Sequence, residues 1–369
     1  MDSPGFAPLS ILSRYLTRQF LGVFLPVLLS FVLLYIIIDT FDRMDIFLRH
    51  DATFGEAARY MLFKIPLMLT QITPPAVVVS VLMSLGMIAR RNEIIAMRTS
   101  GISLVQTAGP IMVCAIIISA AALAWNETVV PYCSRMFQYV NNVEIRKRGQ
   151  LGIFREREIW YRGASGFYSI DYVDRTSQTV HGLLIYRFAP VEDGFHLRSV
   201  VDIPKAQWLG DRWSFASEST AQILDEASPR SEPVNGEIDI LPESIDDFLE
   251  VQREPEELSY RLLRDRIDAL NGKGIDSSHY LVDLHLKMAL PFANAVLAFV
   301  AIPIAGRLRR HPSIAAIVGV GVGVGFLYWV ILGLATSLGQ TGALPPLFAA
   351  WSANAVYTLL GVALYMYSE

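Results

Sequence analysis

Eight ionisable residues, Asp39, Asp42, Arg43, Arg59, Lys64, Asp283, His285 and Lys287, stand at the margins of long apolar runs. Charge at such a depth is costly unless it is paired, snorkels to the interface or lines a polar cavity. Two chemistries suit these residue types. Arg43, Lys64 and Lys287 can hold the phosphates of an anionic lipid, the guanidinium through bidentate contacts and each ammonium as a point charge. Alternatively the set forms mutual ion pairs and anchors the ends of the apolar runs. A second cluster occupies residues 90–103, RRNEIIAMRTSGIS. There Arg90, Arg91, Glu93 and Arg98 interleave with Ile94, Ile95 and Met97, which predicts a short amphipathic helix ended by Gly101. Such a helix can dock in a groove of a soluble partner. It can equally serve only to tie two membrane spans together, its arginines present for orientation. Topology accounts for the basic residues but not for Glu93.

Enzymatic chemistry has no foothold. The six histidines show no H-E-x-x-H spacing, and no G-x-S-x-G turn occurs. Cys114 and Cys133 stand too far apart for a disulfide and suggest no zinc site. The run Gly319, Gly321, Gly323, Gly325 is not a nucleotide loop, because it lies in a neutral stretch and no Lys-Ser/Thr follows. Small residues there offer a smooth face for close helix approach, a yielding seam toward lipid, or ordinary packing. A net charge of −4, without a basic stripe and interleaved aromatics, argues against nucleic acid. The chain reads as noncatalytic, with no catalytic residue, no metal and no cofactor of its own.

The elements that must position these clusters are membrane helices. Of 369 residues, 53% are apolar and 18% charged, below the roughly 25% of a soluble protein. Mean hydropathy is +0.38, and residues 313–368 carry no charge at all. A span needs about 20 apolar residues. Six segments qualify: 20–38, 65–89, 104–125, 288–306, 313–338 and 347–367. The first is read as an uncleaved span rather than a signal peptide. Pro66, Pro74 and Pro75 predict a kink in the second. Lys and Arg in short loops mark the cytoplasmic side. Arg14, Arg18, Arg90, Arg91, Arg98, Arg307, Arg309 and Arg310 all fall on one side, so both termini face the cytoplasm.

The sequence therefore divides into an N-terminal transmembrane half (1–125), an outer domain (126–286) and a C-terminal transmembrane half (287–369). Within the outer domain, short runs rich in Tyr, Val, Ile, Phe and Trp recur at 158–162, 167–173, 183–188, 197–201, 206–209 and 212–215. Gly, Asp and Ser turns separate them, which predicts antiparallel strands of a jelly roll or sandwich. Beyond Pro242 the texture becomes helical, with a helix at 256–271 and another capped by Ser278 and running into the fourth span. The fold class is an α-helical membrane protein of six spans with an inserted all-β, jelly-roll-like domain.

This layout resembles the LptF/LptG family of lipopolysaccharide-export permeases, more its LptG branch. The carriers are residues 14–16 (RYL), 89–103 (ARRNEIIAMRTSGIS), 284–291 (LHLKMALP), 325–328 (GFLY) and 342–354 (GALPPLFAAWSAN), in order along nearly the whole chain. The resemblance implies a subunit of an ATP-driven exporter in the inner membrane of a Gram-negative bacterium, with its large domain in the periplasm. It implies an LptF-like second permease, an LptB-like cytoplasmic ATPase dimer that hydrolyses the ATP, and an LptC-like single-span protein. Lipopolysaccharide would enter laterally between spans one and five of opposed subunits and pass to a periplasmic bridge. Arg90, Arg91, Glu93, Ile94, Met97 and Arg98 would form the coupling helix against the ATPase. LptG-type members carry a basic residue at the outer end of span one, where this chain has Asp39 with Arg43 a turn further on. Either Arg43 substitutes, or Lys64 and Lys287 carry the contact, or the headgroup differs. Other assignments are the F-type partner of the same complex and a membrane sensor or scaffold whose β domain binds a ligand. A lipoprotein-release permease would instead place its outer domain after the first of four spans.

Overall fold

The computed structural model describes residues 11–101, 104–146, 159–163, 166–174, 177–191, 194–210, 212–215, 219–225, 228–233, 255, 258–272, 277–307 and 313–367. Arg309 and Arg310 lie outside these described residues. Among the described residues, six helices are long and apolar enough to cross a membrane. They are α1 (Ile11–Arg49), α2 (Phe54–Arg90), α4 (Leu104–Tyr139), α6 (Ser278–Arg307), α7 (Ile314–Gln340) and α8 (Pro346–Met366). A short α3 (Glu93–Thr99) joins α2 to α4, and α5 (Tyr260–Gly272) precedes α6.

Several of these helices outrun the apolar segments that announce them. α1 has 39 residues and α4 has 36, against about 20 needed to cross the hydrocarbon. The additions are polar or amphipathic turns, whose backbone satisfies itself in water as well as in lipid. α2 continues through Pro66, Pro74 and Pro75. Its start is a capping box, in which Thr53 accepts from Glu56 N–H while Glu56 Oε2 accepts from Thr53 N–H. Ser278 is already the first residue of α6, so the cap position falls on Ser277, whose carbonyl accepts from Leu281 N–H.

Packing sorts the spans into an inner pair and an outer set. The most apolar windows of α2 and α6 are 72% and 61% buried, whereas those of α1 and α7 are 17% and 22% buried. The core gathers Val77, Val81, Leu85, Ala293, Leu297, Ala301, Tyr328 and Tyr357. Half of the glycine run serves this packing. A Cβ on Gly321 would stand 2.7 Å from Val79 Cγ2, and one on Gly325 would stand 2.9 Å from Pro75 Cβ. Gly319 and Gly323 have nothing within 4 Å. Close approach and an open seam thus both occur, on opposite sides of one helix.

Two residues in the motifs at 325–328 and 342–354 are structural. Tyr328 donates to Asn354 Oδ1 at 3.1 Å, and Asn354 Nδ2 donates to Ala289 O at 2.8 Å, which ties α7, α8 and α6 together inside the apolar core.

The chain separates into two compact units, one holding the membrane helices with residues 259–267, the other spanning 147–258 and 268–276. The described strands of the second unit are β1 (Ile159–Gly163), β2 (Gly166–Asp174), β3 (Thr179–Val191), β4 (Gly194–Trp208), β5 (Trp213–Phe215), β6 (Thr220–Asp225) and β7 (Ser228–Pro233). They form one antiparallel sheet in the order β1-β2-β3-β4-β6-β7, with β5 also paired to β4. Register places Ile170, Leu183 and Ile203 in one cross-strand row and Tyr168, Ile185 and Val201 in the next. All six are buried in one cluster, because alternate residues of a strand share a face. The runs expected at 197–201 and 206–209 are a single strand, β4. β7 (SPRSEP) carries no alternating apolar pattern, and its two prolines are tolerated because it pairs only with β6 at the described edge.

Candidate functional site

At one end of the membrane helices, α2 stops at Arg90, Arg91 caps it, and Asn92 turns the chain with φ of 59°. Asparagine tolerates this left-handed conformation better than most residues. α3 then begins at Glu93, and its seven residues keep Glu93, Ile94, Met97 and Arg98 within two turns. Arg90 and Arg91 are exposed, while Glu93, Ile94 and Met97 are half-buried. Glu93 has two partners. Its Oε2 accepts from Tyr15 Oη of α1 at 2.8 Å, and its Oε1 lies 3.8 Å from the Arg91 guanidinium. An apolar groove of about 540 Å³ lies beside this contact, lined by Ile11, Leu12, Tyr15, Ala96, Met97 and Ser100. Tyr15 was not singled out from the sequence, and its position inside the RYL start was the available signal.

At the other end of α1 a second cluster forms around Lys64. Its ammonium donates to Asp39 Oδ1 at 2.6 Å, with both side chains 10% exposed. The same nitrogen lies 5.5 Å from the Tyr60 ring centroid and 5.6 Å from that of Phe137, within the range of cation–π attraction. Arg43 sits one turn beyond Asp39, half-buried, and its Nε has no hydrogen-bond partner. Neither do Asp39 Oδ2, Tyr60 Oη and Arg146 Nε. Arg43, Asp39 and Arg146 all act electrostatically on the Tyr60 hydroxyl. α4 enters this cluster through a π-helical turn, Val140–Ile145. Glu144 of that turn pairs with Arg59 of α2 at 3.1 Å. Single π turns inside helices recur at functional sites, and no residue pattern had announced this one.

Lys287 lies elsewhere. It borders a cavity of about 460 Å³ with Ala120, Leu123, Ala124, Glu127, Tyr260 and Arg261 among its walls. Glu127 Oε2 accepts from Tyr260 N–H at 2.8 Å. The structure therefore brings Arg43 and Lys64 to one cluster, neutralises Lys64 with Asp39, and sets Lys287 in a different one. His279 and Asp283 approach to 3.7 Å on α6. Among the described residues, no group of three or more His, Cys, Asp and Glu side chains can hold a metal ion.

Six described helices long and apolar enough to cross a membrane, with an antiparallel β domain inserted between the third and fourth, define a multi-pass membrane protein. Residues 14–367 match the family model described as lipopolysaccharide export system permease LptF/LptG, and the chain belongs to that family. It is 24% identical over 365 residues to the lipopolysaccharide export system permease protein LptG of Escherichia coli K12, an alignment covering 97% of this chain and 99% of that protein. The same figures relate it to LptG of E. coli O6:H1.

Proposed function

We propose that this chain is the G-type permease subunit of an ATP-driven exporter that extracts lipopolysaccharide from the inner membrane and passes it to a periplasmic bridge. It pairs with an LptF-like subunit and an LptC-like single-span protein. An LptB-like ATPase dimer below hydrolyses the ATP. Both termini lie in the cytoplasm and the β domain in the periplasm, in keeping with the arginines around α3 and beside α1.

The observation that carries this reading is the pair of features joined by α1. At its cytoplasmic end it meets a short amphipathic helix, α3, which supports docking against an ATPase. At its outer end it meets a basic cluster of Arg43, Lys64, Arg59 and Arg146 around two carboxylates, which supports contact with an anionic headgroup. Between the two, Leu21, Leu25, Leu29, Leu33 and Ile37 of α1 are exposed, as are Val320, Val322, Phe326, Val330 and Leu334 of α7. Such faces suit lateral entry of an acylated substrate between opposed subunits. With Lys64 held by Asp39, Arg43 is the better-placed headgroup contact, and Lys287 acts at a separate place. Transport then requires a cavity that favours the amphiphile in one state and disfavours it in the other.

The test is purification of the tagged chain in mild detergent and mass spectrometry of what accompanies it. A cytoplasmic ATPase and a second six-span subunit are the expected partners. A chain that stays alone after crosslinking in intact membranes would overturn the exporter reading.

A further inference from the structure

We propose that Tyr15 is a positioning residue that latches the coupling helix α3 onto α1, so that displacement of α3 is delivered to the outer end of α1. The proposal rests on the exporter reading above and specifies how motion crosses the membrane within this chain. The Tyr15 hydroxyl donates to Glu93 across 78 positions of sequence at 2.8 Å. A hydrogen bond to an ionised carboxylate is about twice as strong as one between neutral groups. One turn further along α1, Gln19 Nε2 approaches Met87 Sδ of α2 at 3.9 Å, so the same stretch of α1 faces the end of the helix that leads into α3.

The surroundings make this link consequential. Beside it, α1 and α3 are separated by the apolar groove between Ile11, Leu12, Ala96 and Met97. α3 approaches α4 through a weak contact, Thr107 Oγ1 to Met97 Sδ at 3.8 Å. Asn92 joins α3 to α2 through a single left-handed residue, its N–H donating to Ala89 O and its carbonyl accepting from Ala96 N–H. A carboxylate at Glu93, one oxygen held by Tyr15 and the other 3.8 Å from Arg91, therefore ties α3 to α1 as well as to the end of α2. From Tyr15, α1 stays helical through Pro26 and reaches Asp39 in about 36 Å at 1.5 Å per residue. Asp39 holds Lys64, so the latch and the headgroup cluster occupy two ends of one helix. Glu93, the acidic residue that topology does not require, acquires a role inside its own chain.

The test uses the complete complex in proteoliposomes, with lipopolysaccharide release and ATP hydrolysis measured together. Tyr15→Phe keeps the ring and removes the donor. The expected result is an assembled complex whose hydrolysis stays within about twofold of the parent, while lipopolysaccharide released per ATP falls about tenfold. A covalent replacement follows, in which Leu12→Cys and Ala96→Cys, which face the same groove, are added to Tyr15→Phe and joined by a short bifunctional maleimide, leaving Glu93 in place. Crosslinking should restore release per ATP that the unlinked variant lacks. Unchanged release per ATP in Tyr15→Phe overturns the latch and leaves the exporter reading standing. Hydrolysis and release falling together overturns it too, since that marks a merely structural residue. Arrest of the crosslinked complex also overturns it, because α1 and α3 would then have to separate in each cycle. Absence of an ATPase from the parent complex overturns both readings at once.

Discussion

Removing Asp39 should reveal whether Lys64 is a structural cation or one available to lipid. The two charges sit 2.6 Å apart with side chains 10% exposed. At an effective dielectric of about 20, attraction at that separation is roughly 6 kcal/mol. Burial of the two ions costs several kcal/mol each, so the pair comes out near balance. Asp39→Ala removes the attraction and leaves the buried ammonium facing Tyr60 and Phe137, whose rings return about 1–2 kcal/mol. The net loss should be about 3 kcal/mol, and Lys64→Met should cost about as much by stranding Asp39. The double variant Asp39→Ala with Lys64→Met loses both charges together and should cost only about 1–2 kcal/mol. A coupling energy of about 4–5 kcal/mol follows. The assay is equilibrium unfolding of the purified chain in mixed detergent micelles, run as a double-mutant cycle in one buffer. Additivity within about 0.5 kcal/mol would refute the reasoning. Lys64 would then be independent of Asp39 and open to a phosphate.

Two further outcomes test the packing that holds the site. Gly321→Ala sets a methyl 2.7 Å from Val79 Cγ2 and 3.1 Å from Val79 Cα, and should destabilise by about 1–3 kcal/mol. Gly323→Ala, in open space, should be neutral or stabilise by less than about 1 kcal/mol; equal melting shifts for the two would contradict the observed phase of α7. Tyr328→Phe strips the donor from Asn354 Oδ1 and should cost about 0.6–1.7 kcal/mol. Asn354→Leu loses that bond and the one to Ala289 O, and should cost more. Thermal unfolding in detergent ranks the pair, and the reverse order would show that Asn354 does not tie the three helices.

The amino-acid sequence alone decided the elements whose signal is local. Runs of about 20 apolar residues can only be satisfied in lipid as helices, so six spans were legible, and alternating Tyr, Ile and Val announced β2, β3 and β4. The same logic made α3 visible between two spans, together with the oddity of Glu93. Elements that lack a hydropathy signal stayed hidden: the polar continuation of α4 to Tyr139, its π turn and the proline-bearing β7. Tertiary structure alone decided what the charged residues do. Asp39 and Lys64 lie 25 positions apart, and Tyr15 and Glu93 lie 78 apart. No period within one helix can bring either pair together, and only the packing of α1 against α2 and the turn into α3 does so. Likewise, four glycines at alternate positions read alike along the chain. The rotation of α7 about its own axis turns Gly321 and Gly325 onto α2 and leaves Gly319 and Gly323 open, because a helix presents residues four apart on one face.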